Sequence, residues 1–327
     1  MNNKEIVSII VPVRNEEKYI EECILSILEQ DYGIERIELI FVDGLSNDST
    51  RNIIEKYIEM YPNTIILLEN SQKTVPYAMN LGIRNSHGNY IIRMDAHSKY
   101  EHNYVSKCIT TIINTGADNV GGLAIAKGKG LIGESFANVL SSKFGVGNSL
   151  FRLNSESGYV DTVPFGAYPK KTFSKYGMYD ERLERNQDYE LNWRIRKNGG
   201  KIYLNSDIKL LYYCRSSIKE IVKQSYENGK WNITTMLLCP GSMSLRHFVP
   251  FLFLVSLLIM PLLSTISIYA KYLLIFELVL YFTLDLIFST RKLKKSTISI
   301  ITFVLFPVFH LSYGFGSLFG VFYNKKR

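Results

Sequence analysis

The chain opens with short, wholly apolar runs separated by segments of helical period. Ile6–Val13 shows no polar alternation and reads as a parallel strand buried on both faces. Asn15–Gln30 sets Ile20, Ile24, Ile27 and Leu28 on one helical face. Ile37–Val42 and Thr64–Leu68 read as further strands, and Thr50–Tyr61 and Val75–Asn85 as helices. Tyr90–Met94 reads as a fourth strand that runs into Asp95. This alternation predicts an α/β domain on an open sheet with right-handed crossovers. Ligands of such sheets bind beyond the carboxyl ends of the strands, so the polar residues after each strand are the candidates for function.

Beyond residue 247 the pattern changes. Phe248–Tyr269, Tyr272–Ser289 and Ile298–Tyr323 are apolar on all sides rather than along one stripe. The first and third reach the roughly 20 residues that span a bilayer core. Glu277 and Asp285 interrupt the second, and the third carries Pro307, His310, Gly314, Gly316 and Gly320. Two or three hydrophobic helices in a membrane are expected. With the catalytic side cytoplasmic, a second crossing brings Arg291–Lys295 back to the cytoplasm, in line with the positive-inside rule. A third crossing would carry Lys325, Lys326 and Arg327 outward, so a broken, re-entrant or interfacial third segment is expected. In Ser217–Tyr226, Ile218, Ile221, Val222 and Tyr226 share a face beside lysines. That fits a helix on an anionic membrane surface and equally one packed on its own domain. The expected division is a domain over 1–215, an interfacial connector over 216–246 and a membrane region over 247–327.

Charge follows this division. The 327 residues carry 38 Lys and Arg against 30 Asp and Glu. Residues 247–327 hold eight of the former and two of the latter, a balance of +6 that leaves +2 for the rest. The excess belongs to the tail, and the main domain has no nucleic-acid signature. Cys23, Cys108, Cys214 and Cys239 stand far apart, without zinc spacing, as expected in a reducing compartment. Met1–Glu5 lead directly into the first strand, with no charged-then-apolar signal peptide expected.

Three strand ends carry polar groups. After the first strand come Arg14, Asn15 and Glu16, without the glycine pattern of a dinucleotide or P-loop site. Asp43 ends the second strand, where it could bond a base or ribose or form an Asx-turn; Asp48 or Ser49 could cap the next helix. After the fourth strand, Asp95 and His97 alternate on an extended segment, so carboxylate and imidazole can converge on one divalent cation. That pair suits Mn²⁺ more than an all-oxygen site would, with Mg²⁺ also possible. Asn186 stands where it would cap a helix ending at Gly199, placing Asp188 in a first turn whose dipole favours its ionised form. An ionised carboxylate there can serve as a general base or as an ordinary helix-start acid. Glu190 and Arg194 read as an i,i+4 pair.

Pro12-Val13-Arg14-Asn15-Glu16, Asp43-Gly44-Leu45-Ser46-Asn47-Asp48, Asp95-Ala96-His97 and Gln187-Asp188, in that order, resemble a family 2 glycosyltransferase of GT-A fold over about residues 5–215. Phe144–Asn148, Val160–Gly166, Arg185–Glu190 and His310–Gly316 are similar to the bacterial, membrane-attached succinoglycan and exopolysaccharide branch. The resemblance implies a Rossmann-like mixed sheet followed by transmembrane helices. It implies that Pro12, Val13, Arg14, Asn15, Glu16 and Asp43 hold a nucleotide and that Asp95 and His97 hold a metal-diphosphate. Asp188 would deprotonate an acceptor hydroxyl, giving displacement with inversion. Two departures stand out: His97 replaces the usual second acid of the metal motif, and Gln187 replaces the usual Glu before the base.

Membrane anchoring makes sense for an enzyme whose acceptor is a lipid-linked saccharide at the cytoplasmic face of the cell membrane. A UDP-sugar is the expected donor, and exopolysaccharide or capsule the expected product. Other polysaccharide-assembly proteins are expected neighbours. A polyprenyl monophosphate acceptor would hardly need a base. A processive synthase lacks its Gln-x-x-Arg-Trp motif, of which Gln224–Trp231 is a loose echo. A non-catalytic membrane scaffold with a nucleotide-sugar fold is the reading from another class. The Gly-, Ser- and Lys-rich stretch Lys127–Phe151 is expected to include a mobile loop over the nucleotide; its Lys127, Lys129 and Lys143, with Arg152 just beyond, fit steering of phosphate groups and equally a solvated face. Asp161–Tyr168, Lys170 and Lys171 are expected on the acceptor side.

Overall fold

A computed structural model describes residues 5–291 and 296–323. In chain order the elements are β1 (Val7–Val13), α1 (Ile20–Leu28), β2 (Ile37–Asp43), α2 (Thr50–Met60), β3 (Ile65–Glu69), α3 (Val75–Asn85), β4 (Tyr90–Arg93), β5 (Ser98–Tyr100), α4 (Tyr104–Thr115) and β6 (Asn119–Lys127). Then come α5 (Gly130–Leu140), α6 (Lys143–Val146), β7 (Gly158–Tyr159), β8 (Ala167–Pro169), α7 (Lys171–Tyr176), α8 (Gln187–Lys197) and β9 (Ile202–Tyr213). The last are α9 (Ile218–Leu238), α10 (Val249–Leu263), α11 (Ile268–Thr290) and α12 (Ser296–Tyr323). The chain divides into two units, one of residues 1–125 and 154–212, the other of 126–153 and 213–327.

In the first unit the sheet runs β3-β2-β1-β4-β8-β6-β9-β5, with β7 pairing β9. Strands β3, β2, β1 and β4 are mutually parallel, and β8 then pairs antiparallel to β4, making the sheet mixed. Ile9, Ile10, Val11, Leu39, Ile40, Phe41, Ile91 and Ile92 are fully buried, which is why these strands read as unbroken apolar runs. Because the four are parallel, Val13, Asp43 and Arg93 end at one edge, and the loops that follow them meet there. Helix α1 begins at Ile20 rather than Asn15. Residues 15–19 instead form a turn in which the Glu16 carbonyl accepts from the N–H groups of Tyr19 and Ile20, 2.9 Å each.

The second unit holds helices where the sequence suggests a loop. Residues 127–151, expected to include a mobile loop, hold helices α5 and α6. In α5 the apolar positions Phe136, Val139 and Leu140 are buried, and Phe136 packs against Phe309 of α12. Glycine and serine content masks that helical period. Phe144 of α6 lies among Tyr281, Phe288, Phe306 and His310. Its carbonyl lies 3.1 Å from His310 Nε2.

Leu245–Leu263, Ile268–Thr290 and Ser296–Phe322 are long and apolar enough to cross a membrane. The first expected run, Phe248–Tyr269, is cut at residues 264–267. Helix α11 starts at Ile268, where the Ser267 side chain accepts from the Ala270 N–H. The third segment is not broken: α12 continues through Pro307 and His310 over 28 residues. Its glycines serve contact. A Cβ on Gly316 would lie 1.9 Å from the Tyr226 carbonyl oxygen of α9, and one on Gly229 of α9 would lie 1.9 Å from that of Tyr313. Helix α9 buries Ile221, Ser225, Gly229 and Trp231, while Ile218 and Val222 stay exposed. The expected apolar face is therefore split, and packing takes part of it. The basic residues Lys292, Lys294, Lys295, Lys325, Lys326 and Arg327 lie outside the described residues.

Candidate active site

The parallel edge of the first unit gathers the sequence candidates. The β1 and β2 loops are tied through backbone groups. The Asn15 N–H donates to Ser46 Oγ at 2.9 Å, and Asn15 Oδ1 accepts from the Asn47 N–H at 2.9 Å. The Glu16 N–H donates to Thr50 Oγ1 at 2.7 Å. Pro12 lies past the last β1–β4 partner pair, Ile10 and Arg93, so its missing N–H costs no ladder bond on that side.

Asp43 is 1% exposed and forms the Asx-type turn, accepting from Ser46 Oγ at 2.6 Å and from the Ser46 N–H at 3.2 Å. Asp48, not Ser49, caps α2, accepting from the Thr50 N–H at 3.0 Å. Asn15, Leu45, Lys73, Phe165 and Asn186 all have positive φ, from 48° to 61°. Leucine and phenylalanine rarely tolerate that region, and five such residues around one sheet edge mark a constrained site. Asn186 flanks α8 in this conformation without a side-chain capping bond, which corrects its expected role. Glu190 and Arg194 pair at 2.6 Å, as their spacing predicts.

Asp95 and His97 are brought together. Asp95 Oδ2 lies 4.0 Å from His97 Nε2, a distance two ligands of one ion can span with bonds of about 2.1 Å. Glu16, expected at the nucleotide, places Oε1 3.2 Å from His97 Nδ1. A proton on Nδ1 would donate to Glu16 and leave the Nε2 lone pair facing Asp95. Among the described residues no three His, Cys, Asp or Glu form a metal cage. The pair could offer two ligands to a divalent ion.

Arg93, the residue that sequence reasoning missed, joins the halves of the site. Its Nη1 donates to both Asp188 carboxylate oxygens, at 2.6 and 2.7 Å, and Nη2 to Asp95 Oδ1 at 3.2 Å. The guanidinium lies 5.7 Å from the Phe165 ring centroid. A readable signal exists: a charged side chain inside a strand whose neighbours are all buried needs an opposite charge. Burial raises the Asp188 carboxyl above its ordinary value; Arg93 pulls it down and the like charge of Asp95 pushes it up. Beside it, Gln187 is buried, with Oε1 lacking a hydrogen-bond partner among the described residues.

The mixed sheet gathers its polar groups at the edge where parallel strands end, with the Asp-x-His pair beside a carboxylate in the first turn of α8. Residues 8–150 match the family model "Glycosyl transferase family 2". The chain is 30% identical over 318 residues to the dolichyl N-acetyl-alpha-D-glucosaminyl phosphate 3-beta-D-2,3-diacetamido-2,3-dideoxy-beta-D-glucuronosyltransferase of Methanococcus voltae, covering 94% of this chain and 95% of that one. It is 25% identical over 256 residues to the succinoglycan biosynthesis protein ExoA of Rhizobium meliloti, covering 76% and 77%. The mannosyltransferase PcManGT from Pyrobaculum calidifontis, solved with GDP-Man and Mn²⁺, shares the fold with TM-score 0.67 and 15% identity, over 97% of this chain and 88% of that one. The chain belongs to glycosyl transferase family 2, and it is a glycosyltransferase.

Proposed function

We propose that the protein transfers a sugar, with inversion, from a nucleotide-diphospho-sugar to a hydroxyl of a lipid-linked saccharide, at the cytoplasmic face of the membrane, in polysaccharide assembly. The observation that carries it is the Asp188 carboxylate, held in the first turn of α8 by the guanidinium that also bonds Asp95. The turn from Pro12 to Glu16 and Asp43 receive base and ribose, with UDP the expected nucleotide, and Glu16 also steadies His97. Asp95 and His97 hold the divalent ion, Mn²⁺ or Mg²⁺, which when bound neutralises charge on the leaving diphosphate. Asp188 takes the acceptor hydroxyl proton. The acceptor oxygen bonds the anomeric carbon, whose bond to the diphosphate oxygen breaks, leaving its electron pair on the nucleoside diphosphate. The three long apolar helices and the dolichyl phosphate sugar in the Methanococcus relative's name support a lipid-linked acceptor. Residues 1–215 are read as the transferase region, 216–246 as the connector and 247–327 as the membrane region.

The test is nucleoside diphosphate release from UDP-sugars by detergent-purified protein, with lipid extract as acceptor source. Release is expected with Mn²⁺ or Mg²⁺ and to fall to background in EDTA and in Asp95→Ala. No release from any donor, together with no UDP binding, would leave the scaffold reading.

The acid limb of kcat/KM should follow Asp188. Because its carboxyl lies above the ordinary value of 3.8, protonation removes the base at a higher pH than for an exposed Asp. Activity should be full on the alkaline side and decline as pH falls through that raised value. A profile flat down to pH about 4 would contradict Asp188 as the base.

A further inference from the structure

We propose that Arg93 is a positioning residue that sets the Asp188 carboxylate for proton abstraction and ties it to the donor side through Asp95. This rests on the transferase reading above. Arg93 is 5% exposed, and its guanidinium is bonded to the two carboxylates of the site. One nitrogen spans both Asp188 oxygens while the neighbouring nitrogen reaches Asp95, so a single rigid plane relates residues from two elements, the end of β4 and the first turn of α8. Each Asp188 oxygen spends one lone pair on Nη1 and keeps another for an acceptor hydroxyl. Without the guanidinium, Asp188 loses its orientation and faces the like charge of Asp95.

A purely structural ion triad would alter melting and leave the turnover of folded molecules intact. A positioning role alters the turnover of folded molecules well beyond any change in nucleotide binding. The experiment compares Arg93→Met, Arg93→Lys and Arg93→Met/Asp188→Asn with wild type, on a UDP-sugar and lipid extract that wild type turns over. UDP affinity is measured by calorimetry beside it. Arg93→Met should lower kcat about 100-fold with UDP affinity within about threefold, since misplacement of a catalytic group by an ångström has that scale. Arg93→Lys keeps the charge but not the planar span and should recover about tenfold of the loss. The double variant should be no slower than Asp188→Asn alone, because Arg93 acts through that carboxylate. Wild-type kcat in Arg93→Met, or strictly additive losses in the double variant, would overturn the assignment while the transferase reading stands. Should Arg93→Met fail to fold, Arg93→Lys decides: reduced kcat with unchanged UDP affinity supports the role, and wild-type kcat overturns it. A wild type inactive on every donor overturns the transferase reading itself, and this assignment with it.

Discussion

Asp188→Asn is expected to lower turnover about 100- to 10,000-fold, the contribution of a well-placed general base, while UDP binding stays nearly unchanged. Asparagine keeps the shape of the side chain in the first turn of α8 but cannot take a proton. It also removes one of the two carboxylates on Arg93, leaving Asp95 as the remaining partner at 3.2 Å. The loss should therefore appear in kcat, accompanied by a modest fall in melting temperature. Steady-state nucleoside diphosphate release, read beside UDP calorimetry, checks both. Turnover surviving in Asp188→Asn would move the acceptor from a hydroxyl to a polyprenyl monophosphate, which arrives already ionised and needs no base.

Gly316→Leu should be strongly damaging to the second unit. Any Cβ there meets the Tyr226 carbonyl oxygen at 1.9 Å, an atom of backbone that no rotamer change can move aside. Helices α9 and α12 would have to separate along a contact that also holds Gly229 against Tyr313 and lets Ser317 Oγ donate to the Gly229 carbonyl at 3.2 Å. A cost of about 3 kcal/mol or more is expected, at or beyond the usual range for overpacking. The check is thermal melting and the yield of monodisperse protein in detergent. Gly158→Ala serves as the comparison, because a Cβ at Gly158 meets nothing within 4 Å, and it should stay within about 0.5 kcal/mol of wild type. Equal stability of the two variants would show that α9 and α12 do not meet at these glycines.

Much of the first unit is legible residue by residue. The strands β1, β2 and β4 are buried on both faces, so their apolar runs admit few other readings, and α3 spans the predicted Val75–Asn85. The candidates after those strands are legible for the same reason: parallel strands end at one edge. Periodicity alone makes helix α1 five residues too long at its start, because the turn at Asn15–Tyr19 is made by bonds to residues of the β2 loop. Helices α5 and α6 are hidden by a composition usual for loops, although the spacing of Phe136, Val139 and Leu140 is present. The glycines of α12 suggest breaks in the sequence, whereas they are points of backbone approach to α9 and α10.

By itself, then, the sequence determined the alternation of buried strands and helices and the long apolar segments, because these follow from local periodicity, and it offered Asp43, Asp95, His97 and Asp188 as candidates from residue chemistry and family resemblance. Tertiary structure alone decided which groups meet. Arg93 and Asp188 are 95 positions apart, and Glu16 and His97 are 81 apart. No local pattern encodes such pairs. The cost of burying Arg93 unpaired required a carboxylate, and only the folded sheet edge placed Asp188 and Asp95 within reach of the same guanidinium.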